Sequence, residues 1–122
     1  GMCDFVGIPI GTLKLKALQD FINGATGWDM TMWELMKVGE RANTMSRMFN
    51  IREGFTLADD MLPERLFEPL RKGKLEGVAL DKADFMKALT TYFRMAGWDE
   101  KGVPTEAKLA ELDLLGVGME LA

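Results

Sequence analysis

The stretch Thr31–Pro69, TMWELMKVGERANTMSRMFNIREGFTLADDMLPERLFEP, decides the fold. Thr31 followed by Glu34 spells a capping box, in which each side chain satisfies a backbone donor that the helix start would otherwise leave orphaned. Leu35, Val38, Ala42, Met45 and Phe49 then recur at three- and four-residue spacing, the pattern of one helical face. Gly39 inside the run costs about 1 kcal/mol relative to alanine, too little to break so long a helix. Asn50 and Gly54 supply the stop. At a rise of ~1.5 Å per residue the helix is close to 30 Å long. Beyond it, Pro63 suits a first helical turn and opens a short helix through about Leu66 or Phe67, which Pro69 ends.

Upstream, Leu13, Ala17, Leu18, Phe21 and Ile22 share one side of a predicted helix that Gly24 and Gly27 close. Downstream, RKGKLEGVA is a polar, glycine-containing connection. Asp81 is the expected N-cap of a further helix, Asp84 favours its positive end, and Phe85, Ala88, Leu89, Tyr92 and Phe93 face inward up to Gly97. After DEKGVP, Thr105 caps a last short helix carrying Leu109 and Leu112. The tripeptide GWD occurs twice, at Gly27–Asp29 and Gly97–Asp99, each time after one helix and before another. Its glycine permits a left-handed cap, its tryptophan can cover the helix end, and its aspartate can accept from nearby backbone N–H groups. No stretch alternates convincingly as a strand. The expectation is an all-α chain, a compact bundle of four to five helices with orthogonal rather than coiled-coil packing. It forms a single domain over 1–122, with an irregular opening at 1–10 and a frayed tail at 115–122.

The totals exclude much. Of 122 residues, 48% are hydrophobic and 28% charged, ordinary for a globular protein. Fifteen basic residues against nineteen acidic ones, with only Arg71, Lys72 and Lys74 clustered, argue against a nucleic-acid partner, which calls for a basic face. No apolar run approaches the ~20 residues of a membrane helix. The start shows no basic region followed by an apolar core, so no signal peptide and no membrane partner are expected, and a cytoplasmic location is. There is no histidine, which removes imidazole bases and His-ligated metals. A single cysteine, Cys3, closes neither an internal disulfide nor a four-cysteine metal site within one copy.

Ten methionines are an unusual load. Met30 with Met32, or Met45 with Met48, could offer soft thioether pairs to Cu(I). Gap-filling and docking against another protein are the commoner uses of this adaptable side chain. Glu53, Asp59 and Asp60 lie close in sequence beside Arg52, with Glu64 and Arg65 following. Paired carboxylates can do acid–base work or hold a hard cation. The interleaved arginines and the lack of calcium-loop spacing favour an ion-paired corner instead. Cys3, beside the acidic Asp4, has no help toward thiolate formation from its neighbours.

The paired GWD corners, GER in the long helix, NIREGFT with DD and LPER, and GVPT before a short leucine-rich helix occur in a specific order and spacing. Together they resemble the C-terminal helical domain of the tungsten-containing aldehyde ferredoxin oxidoreductases, over about Cys3 to Leu114. The resemblance implies a part of an enzyme that oxidises aldehydes to carboxylic acids and passes electrons through a [4Fe–4S] cluster to ferredoxin. It implies tungstopterin and 4Fe–4S as cofactors of the full-length family, with none expected in the isolated chain. Gly1-Met2-Cys3 resembles the end of the family's D-x-x-G-L-C motif, which implies Cys3 as the fourth cluster ligand and Met2 in contact with a pterin. The motif's aspartate, the other three cluster cysteines and the pterin-binding sheet domain lie outside this sequence. The chain is therefore expected to be inactive alone, with no catalytic residues of its own. Its expected partners are the N-terminal and middle domains of the same enzyme, in cis or in trans, and ferredoxin only in the full-length context. The alternative is a stand-alone, non-enzymatic helical interaction module that has lost the cofactor sites and self-associates through an exposed Met/Trp face.

Overall fold

At Thr31 the capping box forms as its spacing requires: the Thr31 N–H donates to Glu34 Oε2 (2.8 Å) and the Glu34 N–H to Thr31 Oγ1 (3.2 Å). The computed structural model describes residues 14–116. Among them lie four α-helices, α1 (Leu15–Thr26), α2 (Met32–Arg52), α3 (Lys82–Ala96) and α4 (Glu106–Glu111), with one 3₁₀ turn at Glu64–Leu66 before α3. No strand occurs among the described residues, only an isolated antiparallel bridge between Trp98 and Pro104. The all-α expectation holds. The opening segment 1–10, with Met2 and Cys3, and the tail from 117 onward lie outside the described residues. Two compact units divide between Ala42 and Asn43, within α2.

In the first unit, α1 runs past Gly24 and ends only at Gly27, whose φ of 74° carries the left-handed cap and whose N–H reaches the Asn23 carbonyl (2.9 Å). Gly24 has no such backbone and continues the helix, so the second glycine alone is the stop. Polar bonds set the turn into α2. Gln19 Nε2 and Asn23 Nδ2 donate to the Met30 carbonyl (2.6 and 3.0 Å), and Asn23 Oδ1 accepts the Met30 N–H (3.0 Å). No residue of 14–42 is buried.

The second unit holds the core. Met48, Leu109, Leu112 and Leu114 form its buried apolar cluster, and Phe93 and Trp98 are buried with them in the same unit. Asp81 caps α3 by accepting the Asp84 N–H (2.8 Å), and Gly97 (φ 74°) closes it. Thr105 caps α4 through the Lys108 N–H (3.3 Å), and Asp113 (φ 56°) ends it with Leu114 N–H returning to the Leu109 carbonyl (2.8 Å). Of the predicted inward face of α3, Phe93 is buried and Phe85 and Leu89 half-buried, while Ala88 and Tyr92 are exposed. Pro63 precedes a single 3₁₀ turn rather than an α-helix. Phe67, next after that turn, packs edge-on against Phe85 (5.8 Å).

The largest departure concerns α2. Val38, Met45 and Phe49 of its apolar stripe are about half exposed (50%, 42% and 51%). The buried positions are Thr44, Arg47 and Met48, on the roughly opposite side of the helix. The reason is the set of partners that Arg47 finds.

Candidate functional site

A second series on α2, Thr44-Arg47-Met48-Ile51, also follows helical spacing and contains one charge. Its arginine is the centre of the 43–116 unit. Nη1 and Nη2 of Arg47 donate to Oδ1 and Oδ2 of Asp60, both at 2.8 Å, a bidentate pair. Nε donates to the Gly102 carbonyl (2.8 Å), and Nη2 also reaches the Lys101 carbonyl (3.4 Å). The guanidinium carbon lies 5.3 Å from the Phe55 ring centroid and 5.4 Å from those of Phe93 and Trp98. Paired, hydrogen-bonded and faced by three aromatic rings, the buried charge meets the conditions under which a low-dielectric site tolerates an ion.

The chain after α2 is folded to deliver these partners. Gly54 (φ 93°) turns it, and the Phe55 N–H returns to the Asn50 carbonyl (2.9 Å). Asp59 Oδ2 accepts both the Thr56 N–H (2.8 Å) and its hydroxyl (2.9 Å), fixing the turn that presents Asp60. Those two bonds, the backbone one first, hold the Asp59 carboxyl below the usual carboxylate range; Thr31 does the same to Glu34 in the capping box. On the other side, Asp99 Oδ1 accepts the Lys101 and Val103 N–H groups (2.8 and 2.9 Å), and the Gly102 N–H reaches the Asp99 carbonyl (3.0 Å). This loop aims the Gly102 carbonyl at Arg47. Gly102 has φ 77°, and a Cβ there would overlap Arg47 Nη2 and lie 2.8 Å from Phe93 Cζ. Only glycine fits.

Of the expected corner residues, Asp60 alone joins the buried pair. Arg52 pairs with its neighbour Glu53 (3.0 Å) on the exposed side and stacks over Phe49 (4.9 Å), while Glu64 pairs with Lys82 (2.7 Å). With both oxygens of Asp60 committed to Arg47 and one oxygen of Asp59 taken by Thr56, the corner is built for positioning rather than proton transfer or cation binding. Arg47 and Gly102 are the central residues that local pattern reading passes over, since an arginine beside a better apolar stripe reads as solvated. Among the described residues no group of three or more His, Cys, Asp or Glu comes together as a metal site. Nor is any helix among the described residues long and apolar enough to cross a membrane. Cys3 and Met2 lie outside the described residues. With one cysteine and no histidine, this chain's own residues do not fit an iron–sulfur cluster or tungstopterin by themselves.

The family described as "Aldehyde ferredoxin oxidoreductase, domains 2 & 3" matches residues 1–114. Tungsten-containing aldehyde ferredoxin oxidoreductases of Pyrococcus abyssi and Pyrococcus furiosus are each 34% identical over 116 residues, covering 93% of this chain and 18% of their own length. A protein of Pyrococcus furiosus named "Aliphatic sulfonate oxidoreductase, WOR-like subunit" is 29% identical over 120 residues. Among solved structures, the active site complex BamBC of benzoyl coenzyme A reductase superposes with a TM-score of 0.71 at 26% identity, over 87% of this chain and 15% of that one. The chain thus spans about a fifth of the length of the relatives it matches. With the family matched over residues 1–114 and 34% identity to its curated members over 93% of the chain, it belongs to the aldehyde ferredoxin oxidoreductase family.

Proposed function

We propose that this chain supplies the helical C-terminal portion of an oxidoreductase that converts an aldehyde to a carboxylic acid and delivers the electrons to ferredoxin through a [4Fe–4S] cluster. The family match over residues 1–114 carries the reading. In it, Cys3 donates the fourth cluster thiolate, Met2 lies against a pterin of the tungsten cofactor, and the remaining ligands come from the other domains, in cis or in trans. The Arg47–Asp60–Gly102 hub does no chemistry. It holds α2, the turn at 56–60 and the loop at 99–104 in one arrangement, so that surfaces facing a neighbour are presented in fixed register. The location that accompanies this function is the cytoplasm.

The test joins or mixes this chain with the polypeptide of the same organism that carries the three further cluster cysteines. Iron, tungsten and aldehyde-dependent benzyl viologen reduction are then measured. The expected outcome is dye reduction that exceeds the companion alone and is lost with Cys3→Ser. No gain over the companion, and no effect of Cys3→Ser, would leave the non-enzymatic interaction module as the better reading.

A further inference from the structure

We propose that Asn23-Gly24 is a modification site at which the chain alters itself: the Asn23 amide converts to a carboxylate, and the conversion opens the corner of the α1–α2 hairpin. The reaction needs only water and no part of any other polypeptide. Of the chain's three asparagines, Asn23 alone precedes a glycine, whereas Asn43 and Asn50 precede Thr44 and Ile51. A β-branched side chain crowds the backbone nitrogen that must attack; glycine leaves it open and lets the backbone reach the ring-forming dihedrals. The Gly24 nitrogen adds to Cγ of Asn23 and closes a five-membered imide. The Cγ–Nδ2 bond breaks, and Nδ2 leaves as ammonia with the proton that the Gly24 nitrogen gives up. Water then adds across one of the two imide C–N bonds. Opening at Cγ leaves aspartate; opening at the former main-chain carbonyl leaves isoaspartate, in which the chain runs through the old side chain. Nothing is oxidised or reduced.

The structure places this asparagine where the change does most damage. Nδ2 of Asn23 donates to the Met30 carbonyl (3.0 Å), Oδ1 accepts the Met30 N–H (3.0 Å), and the main-chain carbonyl accepts the Gly27 N–H that caps α1 (2.9 Å). Aspartate has no donor for the Met30 carbonyl and brings negative charge to the last turn of α1, the negative end of the helix dipole. Isoaspartate also lengthens the main chain and takes the Asn23 carbonyl out of it, so the Gly27 cap loses its acceptor in register. Gln19, donating to the same Met30 carbonyl (2.6 Å), is then the remaining side-chain tie to Met30. While α1 is formed, Asn23 is held by Met30, and a helical N–H at Gly24 points along the helix ladder rather than at its neighbour's side chain. That protection is thin. The helix has 12 residues, none buried, with a glycine inside it, and so short a helix without a packed face is marginal in water. Each opening of α1 frees Asn23 to cyclise, so the opening equilibrium sets the rate.

The experiment ages the full chain in mildly alkaline buffer, native and in guanidinium chloride, and follows each asparagine by peptide mass spectrometry. Trypsin separates the three, cutting after Lys16, Lys37, Arg41, Arg47 and Arg52. In denaturant Asn23 is expected to convert at least tenfold faster than Asn43 or Asn50. In the native chain it should convert more slowly than in denaturant and still ahead of the other two. Gly24→Ala should slow conversion at least tenfold in both media. A Cβ at Gly24 meets nothing within 4 Å, so the variant keeps the helix, and in denaturant its effect is chemical alone. Amide exchange at Gly27 and Met30, read by NMR, should speed at least fivefold in the converted chain. Native conversion of Asn23 no faster than that of Asn43 and Asn50 overturns the proposal. Unchanged exchange at Gly27 and Met30 after conversion does so too, as does a Gly24→Ala rate in denaturant within twofold of the unaltered chain.

Discussion

Asp60 is the residue on which the buried arginine depends most directly. Removing one member of a buried pair leaves the other charge uncompensated, which costs about 3–5 kcal/mol. Asp60→Ala is therefore expected to lower stability by that amount in urea unfolding. The double change Arg47→Met/Asp60→Leu should cost less than Asp60→Ala alone, because it removes the stranded charge as well. A loss below ~1 kcal/mol for Asp60→Ala would show that the pair is solvated. Gly102 gives a second residue-scale prediction through its contrast with Gly77. Both have left-handed backbones, φ 77° and 80°, but a Cβ at Gly77 meets nothing within 4 Å. Gly77→Ala should cost only backbone strain, about 1–2 kcal/mol. Gly102→Ala should cost clearly more, because it also displaces Arg47 from the Gly102 carbonyl. Equal losses for the two would separate Gly102 from the hub.

At the scale of elements, the caps are where sequence and structure agree most closely. Thr31–Glu34, Asp81–Asp84 and Thr105–Lys108 each form the hydrogen bond that their three-residue spacing allows. The agreement has a physical cause: a cap is completed within one turn, so its partners are already adjacent in sequence. One of these caps, and the turn at Thr56–Asp59 with the same three-residue spacing, carry a pH signature. Glu34 and Asp59 are held below their ordinary pKa by bonds to Thr31 and Thr56. A carboxylate with a depressed folded pKa contributes stability above its unfolded value of roughly 4, and that contribution is lost as pH falls through the folded value. The amide protons of Thr31 and Thr56 should accordingly titrate with midpoints below those of unperturbed Glu and Asp. Midpoints at or above the ordinary range, read by NMR, would mean that these boxes are open in solution.

For the whole molecule, burial is confined to one part of the described chain. All the buried residues lie between Thr44 and Leu114, and residues 14–42 contribute none. In the chain alone this predicts uneven unfolding. With Trp28→Phe and Trp33→Phe in place, Trp98 is the only tryptophan and reports on the buried unit. Far-UV circular dichroism should begin to fall at lower urea than Trp98 fluorescence does, since the α1–α2 hairpin loses its helix first. Coincident transitions would show that both regions melt together and that the hairpin is stable without a covering surface.

The amino-acid sequence by itself determined the helices, their caps, the glycine corners and the membership that the order of GWD, GER, NIREGFT and GVPT signals. These depend on bonds and spacings within a few residues. Tertiary structure decided which side of α2 points inward. Two stripes were on offer, and the more apolar one lost, because Arg47 finds Asp60 thirteen residues on and the Gly102 carbonyl fifty-five residues on. It also decided the fate of the twin GWD corners. Both glycines adopt the same left-handed cap, yet Trp98 is buried between Tyr92, Phe93 and Arg47, while Trp28 stays exposed. Local hydrogen bonding sets the corner, but only distant side chains can bury its ring.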